Sequence, residues 1–316
     1  MPDSSPQSYS KVRYLQIDEQ HSGQRIDNYL RTQLKGLPKS AVYKLLRTGQ
    51  VRVNKRRIKA EYRLKSGDEV RVPPIKDPQQ AQKATIPEVL IQDLDHWILY
   101  EDECLIALNK PAGLAVHKGS NVSFGLIDIL RQARPNAPFL ELVHRLDRET
   151  SGCLLIAKDR HTLLELHDLI RDHKIGKRYL ALVAGSWRSG ARQIETVLQS
   201  NSQAAQRKVR VEDEGRLAIS HFKPLKRYDS ATLMEIEIKT GRTHQIRVQA
   251  AHLNHPILGD RKYGDHALNR EWKKKGLKRM FLHAHELTFQ LPVSGRKYDI
   301  KAPLDEGLTG LLEGLQ

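Results

Sequence analysis

His144-Arg-Leu-Asp-Arg-Glu-Thr-Ser-Gly152 decides how this chain is read, because it sets one carboxylate, Asp147, between Arg145 and Arg148. Phe139 to Val143 before it and Cys153 to Ala157 after it are apolar and β-prone, so the string is expected to form a turn joining two strands. Arginines on either side stabilise a charged carboxylate, favour a nucleophile or base over a general acid, and can grip a polyanion. A lone Arg-x-Asp-Arg is most often a surface ion-pair turn; nine specified residues are a narrower signal.

Charge points to the same class of partner. The 316 residues hold 53 Lys plus Arg against 37 Asp plus Glu, a net charge of +16, as expected of a polyphosphate binder. Between Lys11 and Ile75 there are 16 basic and 6 acidic residues, net +10, so about a fifth of the chain carries most of the excess. Such concentration argues for a dedicated binding module, and the length allows for two domains.

Met1 to Ser10 is polar, without an apolar signal core, and no segment is long and apolar enough to span a bilayer. A cytoplasmic protein without membrane association is expected. The two cysteines, Cys104 and Cys153, form no C-x-x-C pair and read as small buried core residues. The fourteen histidines contain no His-Glu-x-x-His string, and no Gly-x-Gly-x-x-Gly or Walker string occurs, so neither a metal nor a nucleotide cofactor is expected.

Residues 1–13 read as a disordered tail, 14–74 as a first domain, 75–87 as a polar linker and 88–316 as a second domain. In the first domain Tyr14 to Ile17 reads as a strand, and Ile26, Tyr29, Leu30 and Leu34 recur at helical spacing up to a stop at Gly36 and Pro38. Ser40 suits the N-cap of a second helix, in which Val42, Leu45 and Leu46 share a face and Gly49 supplies the stop. Val51 to Asn54 and Asp68 to Val72 alternate as strands, turning Arg52 away from Val51 and Val53. Lys39, Lys44, Arg47, Arg52, Lys55, Arg56 and Arg57 together suit phosphate contacts.

In the second domain, strands are expected at Trp97 to Tyr100, Cys104 to Leu108, Tyr179 to Val183, Leu217 to Tyr228 and Leu233 to Ile238. Helices are expected at Gly125 to Ala133 and Thr162 to His173. The regular βαβ rhythm is missing, which argues for α+β with a mainly antiparallel mixed sheet. Asn109-Lys-Pro-Ala-Gly113 is a turn at a strand end, followed by His117. Tyr179 lies in an alternating strand, where a tyrosine is usually core. Thr240-Gly-Arg-Thr-His-Gln-Ile-Arg-Val-Gln249 ends a strand and begins a helix whose buried face carries Ile246, Ala250 and Leu253 and can hold Arg247 rigidly against a carboxylate.

The nine-residue string resembles the catalytic motif of the pseudouridine synthases that modify ribosomal and transfer RNA. The strings at Asn109, Lys177 and Thr240, with His255 to Asp260, Tyr263-Gly264 and Phe281 to Ala284, continue the likeness. Gly23 to Asp27, Gly49 to Asn54 and Ser66 to Val70 resemble an S4-type RNA-binding domain. The resemblance implies a small S4-type module followed by a pseudouridine synthase catalytic domain. It gives Asp147 the catalytic role, pairs it with Arg247, packs Tyr179 against the target uracil and makes Leu282 an apolar wall beneath the base. Arg145 would enter or guard the space vacated by a flipped uridine, with Lys110 and His117 as further substrate-binding candidates. Gln249 departs from the family, which mostly has histidine there.

The activity so implied is isomerisation of uridine to pseudouridine in 23S (large-subunit) ribosomal RNA, at more than one position, by a monomer acting without a cofactor on RNA that is free or in assembly intermediates. Asp147 would attack C1′ to form a glycosyl ester or abstract the C2′ proton to give a glycal; the sequence leaves both open. A non-catalytic RNA-binding protein and a base-releasing glycosidase are the alternatives.

Overall fold

The computed structural model describes residues 12–34, 37, 39–74, 86–119, 122–200, 209–212 and 214–315, in two compact units, Met1–Thr85 and Ile86–Gln316. The expected tail, up to residue 11, the helix stop at Gly36 and Pro38, residues 75–85 of the expected linker and the side chain of Lys39 lie outside the described residues.

The first unit contains β1 (Arg13–Gln16), α1 (Ile26–Gln33), α2 (Lys39–Arg47), β2 (Arg52–Val53) and β3 (Glu69–Val72), the strands in the order β1-β3-β2. Ile26, Leu30, Val42 and Leu46 bury the facing sides of the helices against Val53 and Val70. Asn54 and Lys55 both adopt positive φ, and Val53 and Arg56 exchange backbone hydrogen bonds of 2.9 and 3.1 Å across them. This tight two-residue reversal puts Lys55 at a tip. Asp27 takes a bidentate bond from Arg25 and one from the Tyr43 hydroxyl. These hold its carboxyl down at about 2, Arg25 contributing most and burial opposing.

The second unit runs α3 (Glu88–Gln92), α4 (Leu94–Trp97), β4 (Ile98–Glu101), β5 (Leu105–Lys110), α5 (Leu126–Ala133), β6 (Glu141–Leu142), β7 (Ser151–Ala157), α6 (Arg160–Arg171), β8 (Gly176–Ala184), β9 (Arg192–Ser200), β10 (Val209–Val211), β11 (Arg216–Arg227), β12 (Ala231–Ile238), α7 (Gln245–His252), α8 (His266–Lys274), β13 (Leu282–Gln290), β14 (Lys297–Lys301) and α9 (Glu306–Glu313). Its sheet has the order β10-β9-β11-β12-β8-β13-β7-β5-β4, with β6 on β7 and β14 on β13. The described pairings are antiparallel except β13 with β7. β7 is buried along its whole length. Cys153 and Leu155 pack towards α6 while Leu154 and Ile156 pack towards α5, which is why the segment reads as a continuous apolar run.

The site forms where β13 bridges the two halves of the sheet. Ala284 is in register with Tyr179 of β8 and with Gly152 of β7. Gly152 has φ +110°, and a Cβ there would lie 2.2 Å from the Ala284 carbonyl oxygen, so only glycine ends the Asp147 string at this distance.

Four expectations need correction. Ser40 lies inside α2, which begins at Lys39, so it is not the N-cap. Trp97 closes α4 instead of opening β4. Cys104 is only half-buried, since it sits at the turn before β5 whose amides Asp102 caps, whereas Cys153 is fully buried. Neither arginine flanking Asp147 bonds its carboxylate: Arg148 turns back to donate from Nε to the Gly113 carbonyl, and the cationic partner comes from α7.

Candidate active site

The turn carrying Asp147 is held from below by its own string. β6 pairs with β7, Leu146 is buried, and the Thr150 amide donates to the Asp147 carbonyl at 3.1 Å. The Leu155 amide donates to Nε2 of His144 at 3.2 Å. Burial, helped by the charge of Lys177, pushes this imidazole down to about 3, so it serves as a neutral acceptor.

Lys110 braces the turn from the other side. Its fully buried ammonium donates to the carbonyls of Pro111, Leu114 and Arg148 at 2.7, 2.8 and 3.2 Å, tying the Asn109 turn to the residue that follows Asp147. Burial pushes it down to about 7, opposed by Glu149 and Asp147. It does not line the cavity around Asp147. Lys110 is therefore a brace rather than the substrate contact that the sequence suggested.

α7 brings the cation. Gln245 accepts from the Arg242 amide and the Thr240 hydroxyl, while Gln249, fully buried, donates to the Ala218 carbonyl at 3.1 Å and accepts from the Ser220 hydroxyl at 2.7 Å. These amides fasten the helix to β11 and fix the direction in which Arg247 leaves it. Arg247 Nη1 donates to Asp147 Oδ2 at 2.9 Å; Nε and Nη2 grip Asp260 at 2.8 and 2.9 Å. Asp260 also accepts from the amides of Lys262 and Tyr263. Burial would raise the Asp260 carboxyl, yet Arg247 and those amides hold it below its usual range. Burial likewise works against the charge of Arg247, but the two aspartates raise its guanidinium above the ordinary value.

These elements surround a cavity of about 660 Å³ lined by Asp147, Arg247, Tyr179, Leu282, Arg145 and His117. Six of the seven residues expected at the site thus meet in one place, with Lys110 behind it. Tyr179 packs between two core clusters, and burial, reinforced by the Asp147 charge, pushes its phenol above the usual range. Its hydroxyl has no hydrogen-bond partner among the described residues. Leu282 is buried and Arg145 is exposed at the rim. In the first unit Lys44, Arg47, Arg52, Lys55, Arg56 and Arg57 are all exposed.

Sequence reasoning missed four residues here. Asp260 holds Arg247; His244, in the left-handed conformation before α7, brings Nε2 to 3.6 Å from Asp147; Tyr263 bonds His244. Lys177 lines the cavity half-buried, with no ion-pair or hydrogen-bond partner among the described residues, and burial lowers its ammonium. All four stand within the motif strings, but a pairing such as that of Asp260 with Arg247, thirteen residues along the chain, has no local periodic signal.

The chain belongs to the RNA pseudouridylate synthase family. The family model so described matches residues 104–252, and an S4 domain model matches residues 24–70. Ribosomal large subunit pseudouridine synthase C of Escherichia coli K12 is 49% identical over 309 residues, covering 96% of this chain and 97% of the relative. The protein of the same name from Haemophilus influenzae Rd is 47% identical over 97% of this chain and 96% of its own length. Among solved structures, human RNA Pseudouridylate Synthase Domain Containing 4 aligns with a TM-score of 0.60 at 26% identity, covering 71% of this chain and 95% of that one. The expected S4-type module followed by an α+β mixed-sheet catalytic domain is borne out.

Proposed function

We propose that the chain isomerises uridine to pseudouridine in 23S ribosomal RNA, at more than one position, with Asp147 as the catalytic residue. The observation that carries the reading is the Asp147 carboxylate held by Arg247 in a cavity walled by Tyr179 and Leu282. The likeness to ribosomal large subunit synthases supports the substrate.

The reaction breaks N1–C1′, turns the uracil and joins C5 to C1′; the C5 proton leaves and N1 gains one, with no net redox change. The uridine must first leave its stack, and an Arg145 guanidinium at the rim suits the space it vacates. Among the described residues both contacts of the Asp147 carboxylate fall on Oδ2, which leaves Oδ1 to attack C1′ or to take the C2′ proton. Tyr179 offers a ring face to the base and a free hydroxyl to its edge. Lys177, half-desolvated and without a counterion among the described residues, suits a phosphate or a ribose oxygen. The exposed cations from Lys44 to Arg57 suit the backbone of structured RNA. The reading carries with it a cytoplasmic monomer acting on free or partly assembled ribosomal RNA.

The test is site-by-site mapping of pseudouridine in 23S RNA from cells lacking the protein, together with in vitro treatment of that RNA. Sites lost in the cells and restored by the purified protein support the proposal. An unchanged map contradicts it, and release of free uracil indicates a glycosidase.

A further inference from the structure

The Tyr263 hydroxyl has one proton and, among the described residues, two hydrogen-bond neighbours. The Val209 amide, which can only donate, lies 3.0 Å from the hydroxyl oxygen, and His244 Nδ1 lies 2.8 Å from it. With its oxygen taking the amide proton, the hydroxyl has its own proton to give to Nδ1. A hydroxyl that gives its proton to Nδ1 leaves Nδ1 the bare nitrogen and puts the proton of the neutral ring on Nε2. Nε2 is the nitrogen that lies 3.6 Å from Asp147 Oδ2.

We propose that His244 and Tyr263 are positioning residues for Asp147: a hydrogen-bond chain from the Val209 amide locks His244 in the tautomer whose N–H faces the carboxylate. This rests on the catalytic role proposed above for Asp147. The separation is longer than a formed hydrogen bond, so in the free protein the N–H acts as an oriented dipole. Together with Arg247 Nη1 it concentrates favourable charge on Oδ2 and keeps Oδ1 as the reactive oxygen. The same tautomer prevents Nε2 from acting as a base. Three features fix the imidazole: the left-handed backbone at His244, φ 56°; the edge-on packing of its ring against Tyr263 at 5.4 Å; and the Arg247 guanidinium 5.1 Å over the same phenol ring, which holds Tyr263 in turn.

The ring is surrounded by Asp147 and Asp260 on one hand and by Arg247 and Lys262 on the other. Burial keeps it neutral; the aspartates oppose this effect and the cations add to it. A proton on Nδ1 would confront a hydroxyl that already accepts from Val209, so the chain also resists imidazolium formation. Removing the Tyr263 hydroxyl lifts that resistance, and the acidic loss of activity should begin at higher pH.

Nitrogen-15 shifts of His244 in the free wild-type protein should report Nε2–H, and Tyr263→Phe should mix the tautomers. On 23S RNA, Tyr263→Phe should lower kcat about tenfold with KM within about twofold and move the acidic limb upward. His244→Gln, whose amide can present a donor where Nε2 stood, should retain more activity than His244→Asn. An Nδ1–H tautomer in the wild type overturns the proposal whatever the activity. So does a Tyr263→Phe protein with an unmoved pH profile, or an Asn variant as active as the Gln variant. Failure of the wild type to isomerise any uridine would instead contradict the proposed function, and the shifts, read without RNA, would still decide the tautomer.

Discussion

Asp260 takes two of the three guanidinium nitrogens of Arg247 and leaves Nη1 alone for Asp147. Arg247 is thus oriented by a carboxylate that does not line the cavity, and its grip on Asp147 depends on that anchor. Asp260→Asn should destabilise the fold by roughly 3 to 5 kcal/mol, the usual cost of breaking a buried pair, and reduce kcat more than it raises KM. Urea unfolding beside single-turnover kinetics checks both. A stable variant with wild-type kcat would show that Arg247 needs no such anchor.

Tyr179 offers a separation of packing from chemistry. Its hydroxyl lacks a protein partner among the described residues, so Tyr179→Phe removes no bond from the fold and should leave Tm nearly unchanged. If that hydroxyl is reserved for the uracil, turnover should drop by about tenfold for a lost hydrogen bond and by about a hundredfold or more if it moves a proton. Calorimetry and turnover on the same preparation check this, and unchanged turnover would reduce the residue to its ring face.

Lys110 makes a prediction with a definite pH sign. Burial lowers its folded-state value to about 7 from an ordinary 10.5, so between these values the unfolded chain binds more protons than the folded one. Stability from this residue therefore rises with pH across roughly 7 to 10.5 and is lowest below 7. Lys110→Met should flatten that slope in urea unfolding at several pH values. It should also slow turnover, because the Arg148 carbonyl beside Asp147 loses its donor.

The basic tip of the first unit should act through charge alone. Replacing exposed Lys55 and Arg56 by glutamine should weaken RNA binding and reduce the log-affinity against log-salt slope by about 1.4 to 1.8, if each contacts one phosphate. Binding across a salt series checks this, and an unchanged slope would remove both from the RNA interface.

Much of the site was legible because its parts lie on local patterns: a polar string between two apolar runs for Asp147, alternation for Tyr179, helical spacing for the face beside Arg247. The fully buried β7 was visible as an unbroken apolar run. What escaped depends on meetings between distant segments. A turn aspartate such as Asp260 looks alike whether it caps amides or anchors an arginine, and His244 gains meaning only from Tyr263 and Val209. Lys110 entered as a substrate-binding candidate through the family resemblance alone, whereas three converging carbonyls draw its side chain inward. Ser40 was misread because capping preference does not fix a helix boundary within a residue or two.

Asp147 is the group on which the proposed chemistry depends most directly. Asp147→Asn preserves the size of the side chain while removing its charge and nucleophilicity, and Arg247 can still donate to the amide oxygen. Tritium release from C5-labelled uridine in 23S RNA, measured beside RNA binding, should fall to background while affinity stays near that of the wild type. Sustained tritium release by this variant would contradict the assignment of Asp147 as the catalyst.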